Sequence, residues 1–313
     1  MQGLELSELF YTEQVKPMLE QKFADLVPRV AAGLVGEGSQ CFGYDDEISR
    51  DHDWGAAVCV WLTAEDYERY GAAVQQALME LPQSFRGYPV SWMPGRNGVL
   101  EIGAFYRKYL AVDGTPMTIG QWLNIPEHHL ATVTNGKVFA DPLGRFSAVR
   151  KELQLGYPED IRKKKLAARC MTIAQSGQYN YPRVMARGDK VAAALAEGEF
   201  ISAVISAVYL LNNQYTPFYK WMHYGVQRLP KLGQAVSGLL QQITAYPAPG
   251  TAEEDYYVHK IGLMQQVCAL LVTELQRQGL SDSQDEFLVT QGMRVHSTIE
   301  HGGLRQTNPW VEK

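Results

Sequence analysis

The segment from Leu34 to Leu62 constrains the fold of this chain more than any other part. It reads as an apolar strand, a glycine-rich turn that ends in Gly38-Ser39, a polar loop, and a second apolar strand that begins at Asp51-His52-Asp53. Strands mixed with helices in this order favour an α/β domain built on a short mixed sheet. The segment therefore predicts a hairpin-sized unit with a polar loop between its two strands.

The polar groups of this unit suit a phosphate and a metal ion. Alternate side chains of a strand share one face, so Asp51 and Asp53 would lie about 7 Å apart on the same side. Two such carboxylates can bind hard cations such as Mg²⁺ through oxygen. The Ser39 hydroxyl and the backbone N–H groups of the glycine turn, placed just before a helix start, suit phosphate. Together these features indicate nucleotidyl transfer.

The same residues carry a resemblance to a known superfamily. Gly38-Ser39, a spacer of eleven residues, and Asp51-x-Asp53 followed by a hydrophobic residue resemble the signature of polymerase-beta-type nucleotidyltransferases. The wider string GSQCFGYDDEISRDHDWG resembles a bacterial branch known only as domain of unknown function 4037. That likeness extends to the strings GQYN, ARGD and LLNNQYTPFYKW further along the chain. The branch itself implies no particular substrate.

The resemblance implies a metal-dependent enzyme that moves a nucleoside monophosphate from an NTP, with ATP favoured, to a hydroxyl group, releasing pyrophosphate. One or two Mg²⁺ ions, with Mn²⁺ as an alternative, would be held by the carboxylates. The loop at Gly38 and Ser39 would hold the β and γ phosphates, and Arg50 would contact phosphate. The acceptor stays open among a small hydroxylated molecule, a protein side chain and a tRNA end.

A third carboxylate is expected on a later strand, since members of the superfamily usually add one beside the Asp-x-Asp strand. In the string VLEIGAFY, Glu101 is an acid inside an apolar strand pattern, and burial of an unpartnered glutamate is costly. Glu101 is therefore the candidate third metal ligand or general base, and Asp141 is the second choice. The alternative for Glu101 is a salt bridge or an exposed position at the sheet edge.

Strand signals end near residue 150, and helical patterns follow. We expect an α/β nucleotidyltransferase domain over residues 1–150 and an all-α substrate- or nucleotide-binding domain over residues 151–313. The first part is expected to contain these elements: a helix Leu4–Ala24, strands Val30–Val35 and Asp51–Leu62, a helix Thr63–Leu81 opened by a capping box, and a strand pair Pro89–Trp92 and Val99–Phe105. The second part is expected to contain only helices.

Several residues of the helical part could bind the nucleotide or the acceptor. Arg183 and Arg187 lie four apart on one helix face and could neutralise triphosphate charge, or form an ordinary surface pair with Asp189. Lys220 could bind phosphate or the acceptor and Tyr215 could stack on a base, or both could belong to an aromatic core.

The basic run from Arg162 to Lys165 also has two interpretations. It is either a solvated helix face or a contact for an anionic ligand.

Composition excludes some classes of function. A net charge of −5 predicts no broad nucleic-acid binding. The four cysteines show no CxxC spacing, which favours reduced thiols over a disulfide framework or a zinc site. No apolar run of membrane-spanning length and no signal peptide are seen, so a cytoplasmic location without membrane contact is expected.

The alternative functions are a catalytically silent nucleotide sensor and an antitoxin-like partner-binding module. The oligomeric state stays open.

Overall fold

The computed structural model describes residues 1–312. The chain forms two compact units, Met1–Leu155 and the part that begins at Gly156. The first unit contains all the strands found in the described residues, and the second contains only helices. This distribution confirms the predicted fold class, an α/β part with a small mixed sheet followed by an all-α part. The nucleotide- and substrate-binding roles assigned to the two parts remain predictions.

The first unit is built on a four-stranded mixed sheet. Its strands are β1 (Ala31–Leu34), β2 (Cys59–Leu62), β5 (Gly98–Glu101) and β6 (Lys137–Ala140), in the order β5-β2-β1-β6. Strand β1 is antiparallel to both of its neighbours, whereas β2 and β5 are parallel. A separate short hairpin pairs β3 (Ser84–Phe85) with β4 (Tyr88–Pro89).

Helices surround this sheet. Every residue of β1 and β2 is buried, as expected for short apolar strands covered on both faces. Trp61 of β2 is fully buried and stacks on Phe146 with ring centroids 3.9 Å apart. The helices of this unit are α1 (Gly3–Phe10), α2 (Lys16–Lys22), α3 (Ser39–Phe42), α4 (Ala64–Met79), α5 (Ile102–Leu110), α6 (Ile119–Asn124), α7 (Glu127–Thr134) and α8 (Arg145–Leu153).

Two predicted helices of the first unit are confirmed. The N-terminal one runs through α1, a π-helical segment Tyr11–Val15, and α2. Helix α4 begins where the capping signal placed it, because the Thr63 side chain accepts a hydrogen bond from the Asp66 N–H. The Asp66 carboxylate also binds the Arg29 guanidinium, which ties α4 to the segment before β1.

The prediction that the second strand begins at Asp51 is wrong. Residues Ile48–Asp51 form a 3₁₀ turn, Asp53 has a φ of 55°, and β2 begins only at Cys59. Gly55 lies against a neighbouring segment, since a Cβ at this residue would lie 2.3 Å from the Pro89 carbonyl oxygen. The backbone needs a glycine to pass so close to its neighbour. Asp51 and Asp53 therefore lie in a loop.

The predicted strand pair Pro89–Trp92 and Val99–Phe105 is also wrong. The first of these segments contributes Pro89 to β4, which pairs with β3, and Val90 to an isolated bridge with Ala56. Strand β5 pairs in parallel with β2 and ends at Glu101, because α5 begins at the next residue. Hydrophobic alternation does not identify the partner of a strand, and here the turn around Gly95 connects segments that do not pair with each other.

The second unit is a helical assembly. Its helices are α9 (Glu159–Ile173), α10 (Tyr181–Ala186), α11 (Lys190–Leu211), α12 (Tyr219–Val226), α13 (Gly233–Thr244), α14 (Glu253–Arg277), α15 (Leu288–Ser297) and α16 (Gly302–Arg305). A π-helical segment, Ala174–Asn180, connects α9 to α10. Helix α11 continues through Gly198 without a break.

Helix α11 is long and apolar enough to cross a membrane by length and composition alone. Its apolar stretch is 44% buried within the protein, and the core helix of a soluble protein meets the same criterion. Helix α11 packs against α9, α10 and α12, so it serves here as a central helix of the second unit.

Candidate functional site

The glycine-rich turn after β1 has a backbone that requires glycine. Gly36 has a φ of 142° and Gly38 a φ of 104°, both in the region that side chains rarely adopt. The Asn135 side chain holds the turn through two hydrogen bonds, one accepted from the Gly36 N–H at 3.0 Å and one donated to the Gly36 carbonyl at 2.8 Å. Ser39 is the first residue of α3. The side chain of Asn135, a residue distant in the chain, therefore holds the backbone of the turn in place.

Glu37, inside this turn, binds two residues of α5. Lys108 Nζ and Tyr109 Oη both donate hydrogen bonds to Glu37 Oε1, at 2.9 and 3.0 Å. The second carboxylate oxygen lies 3.4 Å from Arg96 Nε. The turn therefore places one carboxylate between two cations.

Arg96 connects the glycine turn to the predicted metal-binding loop. Its Nη1 atom donates to Asp53 Oδ2 at 3.1 Å, so the one guanidinium bridges Asp53 and Glu37. A Cβ at Gly38 would lie 3.9 Å from Arg96 Nη2, which places the guanidinium against the turn itself. We call Glu37, Asp53, Arg96, Lys108 and Tyr109 the bridging cluster.

Charge and burial set the ionisation of this cluster. Burial disfavours ionised Glu37, but Lys108, the Tyr109 hydroxyl and the charge of Arg96 outweigh it and hold the pKa of Glu37 below its ordinary value. Burial, with the Glu37 charge as the second cause, raises the pKa of Tyr109. Tyr109 therefore stays protonated at neutral pH and donates to an ionised Glu37.

This lowered pKa predicts an acid-sensitive contribution to stability. A carboxylate with a lowered folded-state pKa stabilises the fold above its ordinary value of 4.5, and the contribution is lost as the pH falls through the folded-state pKa. Glu37→Gln should therefore be less stable than wild type at pH 7. Its free energy of unfolding should also fall less than that of wild type when the pH is lowered. Thermal unfolding between neutral and acidic pH measures both effects. The exposed Glu47→Gln is the control, and parallel pH profiles for wild type and Glu37→Gln would contradict the prediction.

Asp51 and Arg50 lie in the same loop as Asp53 but make different contacts. The Asp51 carboxylate is exposed and lies 2.6 Å from His52 Nδ1. The Arg50 guanidinium stacks over the Trp54 ring at 4.8 Å and donates to the Met1 carbonyl. The structure thus brings Asp53, but not the Arg50 guanidinium, to the glycine turn.

Glu101 lies at the other end of the strand pair. Cys59 pairs with Gly98 at the start of β2 and β5, near Asp53 and Arg96, whereas Glu101 pairs with Leu62 at their ends. Three residues of strand separate the two ends by about 10 Å. The Glu101 carboxylate caps α5 by accepting hydrogen bonds from the Gly103 and Ala104 N–H groups. The structure therefore does not bring Glu101 to Asp51 and Asp53.

Asp141, the second choice for the third carboxylate, follows β6 at the opposite edge of the sheet from β5. Its carboxylate accepts a hydrogen bond from the Ser147 N–H in the first turn of α8 at 2.7 Å. This contact gives Asp141 a structural role at the start of that helix.

The second unit holds the remaining predicted residues. The Arg183 guanidinium lies 4.4 Å from the exposed Tyr179 ring, and Arg187 is exposed at the end of α10. Lys220 is exposed beside Trp221, at 5.2 Å from that ring. Tyr215 is only 7% exposed and packs edge-on against Tyr157, so the prediction that it stacks on a base is wrong. The aromatic-core interpretation holds for Tyr215 but not for Lys220.

The basic run of α9 is not a solvated face. Lys164 and Lys165 are buried, although charged side chains are seldom fully buried unless they are paired. Lys164 Nζ donates to the Asn308 carbonyl at 2.5 Å, and Lys165 Nζ pairs with the Glu312 carboxylate at 3.0 Å. These lysines fasten the segment around residues 308–312 to α9.

Sequence reasoning missed four members of the bridging cluster, Glu37, Arg96, Lys108 and Tyr109. Glu37 stands inside the recognised turn, and Arg96 is the one charged residue of the Pro94–Gly98 turn, so both had a local signal. Lys108 and Tyr109 had none, because only the tertiary placement of α5 brings them to the turn. Within residues 1–312, no group of three or more His, Cys, Asp or Glu side chains is arranged to hold a metal ion.

Comparison with known proteins supports part of the resemblance seen in the sequence. Residues 122–222 match the family described as Domain of unknown function (DUF4037). This confirms the likeness to that branch over a stretch that contains the strings GQYN, ARGD and LLNNQYTPFYKW. The glycine turn and the Asp51-x-Asp53 loop lie outside the matched residues.

Solved and curated proteins add little to this result. The chain is similar to a nucleotidyltransferase-like protein from Exiguobacterium sibiricum, with a TM-score of 0.38 and 10% identity over 90% of this chain and 89% of the other. A similarity at this level carries no conclusion. No curated protein matches the chain.

Proposed function

We propose that the first unit is a metal-dependent nucleotidyltransferase, which moves a nucleoside monophosphate from an NTP to an acceptor hydroxyl and releases pyrophosphate. The observation that carries this proposal is the bridging cluster. One guanidinium connects the glycine turn that follows β1 to the Asp51–Asp53 loop that precedes β2. A phosphate-binding turn, two cations and exposed carboxylates in one place are the groups that phosphoryl-type transfer uses.

In this proposal Arg96 and Lys108 bind the triphosphate. A planar guanidinium suits phosphate as well as carboxylate, and the charged partners of the Arg96 guanidinium are carboxylates that a more highly charged anion can replace. Gly38 and Ser39 supply backbone N–H groups and a hydroxyl beside the same guanidinium. The triphosphate would take over Arg96 and leave the Asp53 carboxylate available to a cation.

The donor set fits Mg²⁺ shared between protein and nucleotide. Mg²⁺ commonly keeps several waters and binds through one or two carboxylates together with substrate phosphates. Asp51 and Asp53, both more than half exposed, supply such carboxylates without a third ligand. When bound, the ion would neutralise charge on the phosphates. Glu101 is left out of the ligand set because it caps α5 at the far end of the strands.

The donor is proposed to be an NTP, with ATP favoured. The acceptor oxygen would attack the α-phosphorus, form the new P–O bond and release pyrophosphate. Arg183, Arg187 and Lys220 are kept as proposed contacts of the nucleotide or acceptor in the second unit, and a cytoplasmic location is kept as a proposal. The chemistry of the first unit depends on none of these three residues.

Nucleotide-dependent stabilisation tests the proposal. Wild type should unfold at a higher temperature with one NTP and Mg²⁺, since a ligand present at 100 times its Kd adds about 2.7 kcal/mol to the free energy of unfolding. Arg96→Ala should lower the affinity roughly tenfold or more, because charged hydrogen bonds contribute about 1.5–3 kcal/mol. The exposed Arg69→Ala, which removes the same charge from α4, is the matched control. Stabilisation equal in wild type and Arg96→Ala would refute the assignment of Arg96.

A catalytically silent nucleotide-binding protein is the second candidate. It is favoured by one observation, namely that Glu101, the expected general base, caps α5 away from the Asp51–Asp53 loop. Release of pyrophosphate separates the two candidates, since a silent binder would be stabilised by the nucleotide without consuming it.

A further inference from the structure

A long part of the second unit contains no acidic residue. Between Glu199 and Glu253 the sequence has neither Asp nor Glu, although the whole chain carries a net charge of −5. This stretch contains the C-terminal half of α11 and all of α12 and α13. Its cations are Lys220, Arg228 and Lys231, so it forms a locally basic region on a mildly acidic protein.

Helix α12 and the two residues after it place two aromatic rings between two cations. Lys220 Nζ lies 5.2 Å from the centre of the Trp221 ring, which meets the Tyr224 ring edge-on at 6.0 Å. The Arg228 guanidinium lies 4.7 Å from the centre of the Tyr224 ring. We call Lys220, Trp221, Tyr224 and Arg228 the aromatic–cation stripe. Since α-helical rise is 1.5 Å per residue, the stripe is about 12 Å long.

The rings at this place are presented to solvent. Tyr224 is 41% exposed, and at the start of the helix Tyr219 is 74% and Phe218 46% exposed. The core of the same unit keeps its aromatic residues inside, as Tyr181 and Phe200 show. Large exposed rings that cluster together mark interaction sites more often than scattered apolar side chains do.

We propose that the aromatic–cation stripe binds a short segment of single-stranded nucleic acid. Bases stack on the ring of Tyr224 and on the exposed ring of Tyr219, which lies beside the stripe, and Lys220 and Arg228 pair with phosphates. Stacking on aromatic side chains combined with a positive surface is the general mode of single-strand recognition. A duplex hides the faces of its bases, so the stripe discriminates against it.

Because the whole protein carries a net charge of −5, we expect the phosphates to be bound only by the two cations of the stripe. Two phosphate contacts on a single strand give a slope of about −1.4 in a plot of log K against log salt concentration. The inference goes beyond the proposed function and does not depend on it, because it needs neither the bridging cluster nor turnover.

Fluorescence anisotropy with a labelled ten-nucleotide oligouridine tests the proposal on the full chain at low salt. Wild type should bind the strand, and Tyr224→Ala should weaken binding about tenfold, as expected for the loss of one stacked base. Tyr224→Phe should retain the affinity, because the ring is kept. The double variant Lys220→Ala/Arg228→Ala should bind more weakly and lose most of the salt dependence.

Matched controls remove the same chemistry elsewhere in the unit. Tyr246→Ala deletes a ring that is 97% exposed, and Arg294→Ala deletes an exposed cation, and neither residue belongs to the stripe. Both variants should bind like wild type. Thermal unfolding of every variant excludes misfolding as the cause of any loss.

Four outcomes would overturn the proposal. The first is that wild type does not bind the strand, and the second is that the stripe variants and the control variants bind equally well. The third is that the matching duplex binds more tightly than the single strand. The fourth is that UTP displaces the labelled strand at concentrations as low as those of unlabelled strand. The last result would assign the stripe to a mononucleotide. These measurements do not depend on transferase activity, because strand binding does not use the Asp51–Asp53 loop. Asp53→Asn should therefore bind the strand like wild type.

Discussion

Asp53→Asn should abolish Mg²⁺-dependent stabilisation by the NTP and lower pyrophosphate release about 1000-fold. Metal-ion catalysis contributes several kcal/mol of charge stabilisation, and each 1.36 kcal/mol corresponds to a factor of ten in rate. The variant removes the anionic oxygen expected to hold the ion and weakens the contact with Arg96. It should still fold, because asparagine is among the residues that tolerate a φ of 55°.

Asp113→Asn is the matched control for this experiment. Asp113 is an exposed aspartate of the same unit that pairs with Arg107, so its replacement removes an equal charge from an ordinary surface ion pair. We expect wild-type nucleotide stabilisation and turnover from the control. Wild-type behaviour of Asp53→Asn would remove Asp53 from the metal site, and equal losses in both variants would indicate a non-specific effect of charge.

Gly136→Ala should produce the largest loss of stability among single glycine substitutions of the first unit. Gly136 has a φ of 65°, and a Cβ there would lie 2.0 Å from the Leu34 carbonyl oxygen at the end of β1. The unfavourable φ alone costs about 1–2 kcal/mol, and the overlap with fixed backbone adds to it. A total of about 3 kcal/mol would lower the Tm by roughly 10 °C.

The same substitution should also disturb the glycine turn. The residue before Gly136 is Asn135, whose side chain holds Gly36 through two hydrogen bonds. A shift of this backbone should therefore weaken nucleotide stabilisation as well as the fold.

The control variant Gly144→Ala shows how much of the stability loss of Gly136→Ala comes from the positive φ alone, without steric overlap. Gly144 has a φ of 69°, and a Cβ there would meet nothing within 4 Å. Differential scanning calorimetry measures the loss of stability of each variant. We expect Gly136→Ala to lose more than Gly144→Ala, and the difference to be the cost of the overlap with Leu34. Equal losses for the two variants would show that β1 moves aside at no cost, contrary to the expectation for a central strand.

The fold class could be predicted from the sequence because its signals are local. Apolar runs of four to six residues around Ala32 and Val60 predict strands, and the Thr63 capping signal marks the start of α4 with its hydrogen bond to Asp66. The change from mixed elements to helices alone is visible in the same way. Strand pairing was not predictable, since nothing in the residues around Glu101 shows that β5 pairs in parallel with β2.

The candidate site was predictable only in part for the same reason. Gly38, Ser39 and Asp53 stand in a recognisable order, and the structure brings the turn and Asp53 to a common guanidinium. Lys220 and Tyr215 stand in one aromatic string, but burial separates their roles, because Tyr215 is inside the unit and Lys220 outside.

The sequence by itself determined the fold class, the glycine turn and the start of α4, because these depend on the properties of neighbouring residues. Only the tertiary structure decided which charges meet. It placed Arg96 between Glu37 and Asp53, moved Glu101 to the cap of a helix, and buried Lys164 and Lys165. Contacts between residues distant in the chain follow from packing, and packing depends on the whole set of buried side chains rather than on any local pattern.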